Sequence, residues 1–203
     1  FLFTLAFAPH SFWLVAWIIP GLVLIQGLNN NQRTYTYFLF TFYIVFYSSS
    51  LFWVSYTLTN FTESYLISFF IWTFMIIFFS GISSICLLIW KRYLAQNFAY
   101  ALAFFPIVWL TQSLLRSNLF GGFPWLWLAY SQTTSSWIHL APYVGVYGLT
   151  LLMLYTSCVI MTFFYCGKRT YAFFLALLFF SISVILSFSS SSQINSSLLL
   201  NIG

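Results

Sequence analysis

The chain alternates long apolar stretches with short polar ones, at a spacing that predicts membrane-spanning helices. A bilayer-crossing helix needs about 20 mostly apolar residues. Stretches of that kind run near 10–28, 34–58, 64–90, 97–116, 139–166 and 170–189. Residues 1–8 read as the stub of an earlier span. The aromatic runs carry strand propensity, but they lack the period-2 alternation of a membrane barrel, whose strands present lumen and lipid faces in turn. The predicted fold class is an all-α integral membrane protein. It is a polytopic transmembrane helix bundle occupying residues 1–189, with about six spans plus the N-terminal stub. Residues 190–203 take in most of the polar run Ser187–Ser197 and read as a linker leaving the membrane.

Composition names the solvent. Of 203 residues, 62% are hydrophobic and 3% charged, whereas a soluble domain carries about 25% charged residues. So little polarity cannot cover a water-facing surface, so lipid must be the main solvent. Aromatic residues make up 25% of the chain. Lipid-facing Phe and interface-seeking Trp and Tyr account for much of that excess, with Trp17 read as one such belt residue.

The few charges then orient the bundle. Arg33 follows the first predicted span, Lys91 and Arg92 the third, Lys168 and Arg169 the fifth. All five fall on one face if the spans are counted correctly, and the positive-inside rule makes that face cytoplasmic. Glu63, the 117–138 connection and the C-terminal tail then lie outside. Bases this dispersed exclude a nucleic-acid surface. Cys86, Cys158 and Cys166 sit in apolar runs and read as buried thiols, with no disulfide framework, no metal and no cofactor implied. His10 and His139 read as interfacial polar residues, and Glu63 as a charge favoured near the helix start at Ser64. Serines within spans, at 48–50 and 80–84, read as bonding backbone carbonyls or neighbouring helices.

Pro106–Gly148 is different. Arg116 stands at the outer end of a span, against the positive-inside trend. An ionisable residue at that depth is a functional candidate. It suits either a lipid phosphate or the carbonyls at a helix C-terminus. Beyond it comes an uncharged, aromatic-rich connection with Gly121-Gly122-Phe123-Pro124-Trp125 at its head and Tyr130-Ser131-Gln132 further on. Connections of that length are usually functional. One so apolar must cap a groove or dip toward the headgroups.

Taken in order, Arg116, Gly122-Phe-Pro-Trp125, Tyr130-Ser-Gln132, Leu140-Ala-Pro142 and Gly145-Val-Tyr-Gly148 resemble the apolipoprotein N-acyltransferase family. Leu5-Ala-Phe-Ala-Pro9 with Trp13, and Phe52-Trp-Val54 with Asn60-Phe61, extend the resemblance toward the N-terminus. It implies a membrane helix bundle joined to an extracytoplasmic nitrilase-like domain with a Glu-Lys-Cys triad. The Cys of that triad takes an acyl chain from a phospholipid as a thioester and passes it to the N-terminal lipid-modified cysteine of a lipoprotein. It also implies a bacterial cytoplasmic (inner) membrane location, with the phospholipid acyl donor, the lipid-modified lipoprotein and membrane lipids as partners. On this reading 190–203 leads toward a nitrilase-like domain absent from the chain, so the chain has no catalytic residue and is inactive alone. The candidate lipid-contacting residues are Arg116, Phe123, Pro124, Trp125, Tyr130, Ser131, Gln132 and Trp53. One position departs from the family pattern: an acidic residue usually stands three before the Arg, where this chain has Ser113 beside Gln112. The alternatives are a small transporter or channel, which the absence of paired intramembrane charges and inverted repeats disfavours, and a non-catalytic truncated membrane remnant.

Overall fold

A computed structural model describes residues 1–165, apart from the side chains of Phe120 and Tyr165. The predicted span 170–189, Cys166, Lys168, Arg169 and the 190–203 tail lie outside the described residues. Within them the chain is helical, as its patterning predicts. The α-helices are α1 (Val15–Asn29), α2 (Gln32–Ser50), α3 (Phe52–Thr62), α4 (Tyr65–Tyr93), α5 (Phe98–Asn118) and α6 (Ala141–Tyr165).

Local sequence sets most of the boundaries. The Asn31 side chain caps α2 by accepting from Thr34 N at 2.8 Å. Ser64 accepts from Ile67 N at the start of α4, and Asn97 from Ala99 N at the start of α5. Such caps satisfy amides that the first helical turn leaves free. Lys91 and Arg92 close α4, where the helix dipole favours cations.

Three expectations change. The stretch 34–58 is not one straight span: α2 and α3 meet at Leu51 with a bend of 55°. Ser49 Oγ donates to the carbonyls of Val45 and Phe46 at 2.7 and 3.1 Å, competing with the helix's own ladder. The Leu51 carbonyl turns to accept from Trp72 Nε1 at 2.9 Å. The stretch 10–28 begins later than expected. Ser11 is in the left-handed region and α1 has 15 residues, short of the roughly 20 that a spanning helix needs. Residues 1–8 hold a short 3-10 turn, Leu2–Ala6, in place of an α-helical stub. Three stretches are each long and apolar enough to cross a membrane: Tyr65–Tyr93, Phe98–Asn118 and Ser136–Phe164. The bent α2–α3 pair makes a fourth when taken as one span.

Packing follows from small residues and ring stacks. Gly21 lets α1 meet α6 so closely that a Cβ there would lie 2.4 Å from the Ser157 carbonyl oxygen, and its amide donates to Ser157 Oγ at 2.8 Å. Small residues allow such backbone approach in membrane bundles. Trp17 is no belt residue. It is 2% exposed and donates to Gln132 Oε1 at 3.1 Å. Phe69, Phe70, Phe74, Ile77 and Ile85 of α4 point outward instead, an apolar face fit for lipid. The bundle has two chemically distinct ends. Gln32 Nε2 reaches the Leu88 carbonyl and Trp90 packs on Tyr35, which brings Arg33, Lys91 and Arg92 to one end. The connection after α5 lies at the other.

Candidate functional site

The site is built where α5 runs out. The chain leaves the helix through a 3-10 turn, Leu119–Gly121, and doubles back so that Phe123 N donates to the Arg116 carbonyl at 3.0 Å. The reversal needs glycine. Gly121 and Gly122 have φ of 87° and 76°, and a Cβ on Gly122 would lie 2.0 Å from the Ser117 carbonyl oxygen. Only a residue without Cβ tolerates both the conformation and the approach.

Arg116 locks the returning stretch of chain. Its guanidinium donates through Nη1 to the Trp125 carbonyl and through Nη2 to the Leu126 carbonyl at 3.3 Å. Its Cζ lies 5.9 Å from the Tyr47 ring centroid. The side chain is 3% exposed. The cavity beside it, bounded by Tyr43, Gln112 and Ser113 among others, measures about 20 Å³, room for roughly one water and too little for a phosphate. Ser113, at the position where the family pattern has an acid, donates back to the Trp109 carbonyl at 3.2 Å. Gln112 donates to Tyr43 OH at 2.8 Å. The buried cation is therefore held by backbone carbonyls of the loop.

What the clamp presents is aromatic. Trp125 is 53% and Trp53 48% exposed, and their rings meet edge to face at 5.6 Å between centroids. Phe123 lies 6.3 Å from Trp125 and 5.4 Å from Phe79 of α4. Pro124 is exposed between them and fixes its own φ. The loop thus joins α3 to α4 through the ring series Trp53, Trp125, Phe123, Phe79.

The rest of the connection is anchor. The turn Leu128–Gln132 buries Ser131 and Gln132. Gln132 Oε1 accepts from Trp17 and, at 2.8 Å, from Ser135 Oγ, while its Nε2 donates to Ser131 Oγ at 2.8 Å. Ser131 in turn donates to the Leu128 carbonyl at 2.7 Å. Tyr130 is exposed. The eight residues singled out from sequence therefore divide. Trp53, Phe123, Pro124, Trp125 and Tyr130 reach the surface, and Arg116, Ser131 and Gln132 face inward and hold the backbone. Sequence reasoning missed Tyr47 and Phe79, which carry no signal apart from the helices they sit on. It also missed Thr4, whose hydroxyl bonds Ser49 and Ser50 beside Trp53, whereas the serine run at 48–50 reads as bonding carbonyls and Ser49 does so.

Comparison with known proteins gives this geometry a family. The model of the apolipoprotein N-acyltransferase N-terminal domain matches residues 1–159. An apolipoprotein N-acyltransferase of Vibrio vulnificus is 35% identical over 156 residues, covering 74% of this chain and 30% of the relative. That of Pasteurella multocida is 30% identical over 168 residues, covering 77% of this chain and 29% of the relative. That of Haemophilus ducreyi is 27% identical over 191 residues, covering 94% of this chain and 36% of the relative. The chain spans about a third of the length of the curated relatives it matches. This helical membrane bundle, with its glycine-hinged aromatic loop, belongs to the apolipoprotein N-acyltransferase N-terminal domain family.

Proposed function

We propose that the chain is the membrane part of an apolipoprotein N-acyltransferase and that it hands acyl chains to the reaction at the loop end of the bundle. The reaction moves an acyl chain from a phospholipid, through a cysteine thioester, to the α-amino group of a lipoprotein's lipid-modified N-terminal cysteine. In that scheme covalent chemistry belongs to the nitrilase-like domain, where a thiolate splits one acyl transfer into two easier steps. The bundle contributes proximity: it holds the ester and the amine near one another at the interface. The loop end faces outward in a bacterial cytoplasmic membrane, with Arg33, Lys91 and Arg92 inside.

One observation carries the loop's part in this. Arg116 is spent on the carbonyls of Trp125 and Leu126, and the residue it fixes is a half-exposed tryptophan packed against another. Arg116 is accordingly a positioning residue, and Trp125 with Trp53 is the lipid-contacting surface. Of the two roles the sequence allowed Arg116, a phosphate does not fit its cavity, and the carbonyls it binds are those of the returning loop rather than of the helix C-terminus.

The test is N-acylation by the full-length protein at matched membrane levels. Arg116→Ala and Trp125→Ala should each lower the rate about tenfold to hundredfold, the cost of losing a charge-assisted or packed positioning contact felt in the transition state. Phe70→Leu, on the outward face of α4, should leave it near wild type. Equal activity in all three would remove the loop from the site.

A further inference from the structure

Helices α2 and α5 frame a small polar chamber behind the loop. Gln112 and Arg116 stand one turn apart on α5, and Tyr43 and Tyr47 one turn apart on α2, a spacing that puts each pair on one helix face. The pairs meet. Gln112 Nε2 donates to Tyr43 OH at 2.8 Å, and Arg116 Cζ lies 5.9 Å from the Tyr47 ring centroid. All of them line the cavity of about 20 Å³ beside the clamp, together with Ser113 and apolar residues that include Phe3 and Leu128.

The polar groups of that wall have partners, with one exception. Tyr47 OH shares a hydrogen bond with Ser83 Oγ at 2.9 Å, and Ser113 donates to the Trp109 carbonyl at 3.2 Å. Gln112 Oε1 has no hydrogen-bond partner in the chain, although the residue is 3% exposed. A buried amide oxygen is seldom left so, because its desolvation then goes uncompensated. Arg116, on the same wall, carries more N–H donors than its bonds to the Trp125 and Leu126 carbonyls use. An acceptor and a cation therefore share a space that holds roughly one water. A metal ion there would meet the guanidinium, and a halide would meet the amide oxygen. A water suits both, since it donates and accepts.

We propose that the chamber is a binding site for a single water molecule, which donates to Gln112 Oε1 and accepts from the Arg116 guanidinium. Lone pairs on Ser113 Oγ and Tyr47 OH, in the same wall, offer its other proton an acceptor. The water ties the guanidinium to α5 on the side away from the loop carbonyls, and so fixes the plane from which Arg116 holds Trp125. Gln112 is then a positioning residue that acts through the water and Arg116. This last step rests on the role proposed above for the loop, whereas the water site itself does not.

The test is a crystal structure of the full-length protein, at a resolution that shows ordered waters, joined to N-acylation rates at matched membrane levels. The wild type should show isolated density within hydrogen-bond distance of both Gln112 Oε1 and the Arg116 guanidinium, and Gln112→Met, which keeps the length and removes the acceptor, should lose it. Wild-type density that is missing, or density that persists in Gln112→Met, overturns the site. An anomalous peak at this place in crystals grown with bromide would make it an anion site and overturns it equally. Gln112→Met should lower the rate about tenfold, the loss of one hydrogen bond to a charged group felt in the transition state. Gln112→Glu, which restores an acceptor, should recover most of it, and Gln112→Met should add no further loss in an Arg116→Ala background. A wild-type rate in Gln112→Met, or losses that multiply with Arg116→Ala, overturns the positioning role. Should Arg116→Ala and Trp125→Ala themselves prove near wild type, the loop's proposed role fails while the density still decides the water site.

Discussion

Arg116 shows how a buried cation works inside an apolar bundle without a carboxylate. Its planar fork reaches two successive loop carbonyls, Trp125 and Leu126, a geometry that a lysine ammonium does not reproduce. Leu126 is itself held at a positive φ of 62°, so the clamp also retains a backbone strained for a branched side chain. Gly121 and Gly122 separate two further effects. Both have positive φ, but a Cβ on Gly121 meets nothing within 4 Å, while one on Gly122 meets the Ser117 carbonyl oxygen and carbon. In detergent, Gly122→Ala should lower the unfolding temperature clearly more than Gly121→Ala, with strain alone costing about 1–3 kcal/mol and the backbone clash adding to it. Equal shifts would mean that the loop relaxes freely and that the reversal after Arg116 is not tightly held.

At the scale of elements, patterning captures the helices whose ends carry polar punctuation. Ser64, Asn97 and the Lys91-Arg92 pair bracket α4 and α5 within a few residues of the expected limits. The break at Leu51 is not read from it, because the Ser48–Ser50 run just before it fits equally well as hydroxyls bonding carbonyls inside an unbroken span. The serine run beside the break reads as bonding carbonyls, and Ser49 does so. Trp17 reads as a belt residue, against its burial, for a related reason: a helix apolar on all sides has no moment to say which face turns inward. In the loop, the Gly-Gly-Phe-Pro-Trp run and Arg116 stand out in the sequence, whereas the ring contacts to α3 and α4 depend on tertiary packing that no local pattern encodes. The α1–α6 contact gives a second stability test. Gly21→Leu must push against the Ser157 carbonyl and Met161 and should destabilise by about 1–3 kcal/mol. Gly81→Ala, with open space around it in α4, should be neutral or slightly stabilising. A thermal shift assay distinguishes them, and an unchanged Gly21→Leu protein would show that α1 does not pack on α6 at this distance.

For the whole molecule, the two ends define what each side of the membrane sees. Ser135, an obvious loop position for labelling, is buried and bonded to Gln132, so Thr134, which is exposed, is the better reporter. In intact cells Thr134→Cys should react with a membrane-impermeant maleimide, and Gln96→Cys, between α4 and α5, only after permeabilisation. The reverse pattern would put the loop in the cytoplasm and remove it from lipoprotein N-acylation. The central claim is narrower: Arg116 acts through Trp125. A double-mutant cycle on N-acylation by the full-length protein, at matched membrane levels, addresses it directly, since residues that work as one unit give non-additive losses. Arg116→Ala and Trp125→Ala should each lower the rate, and the double variant should be no slower than the slower single. Losses that multiply in the double variant, or three rates near wild type, would contradict the account.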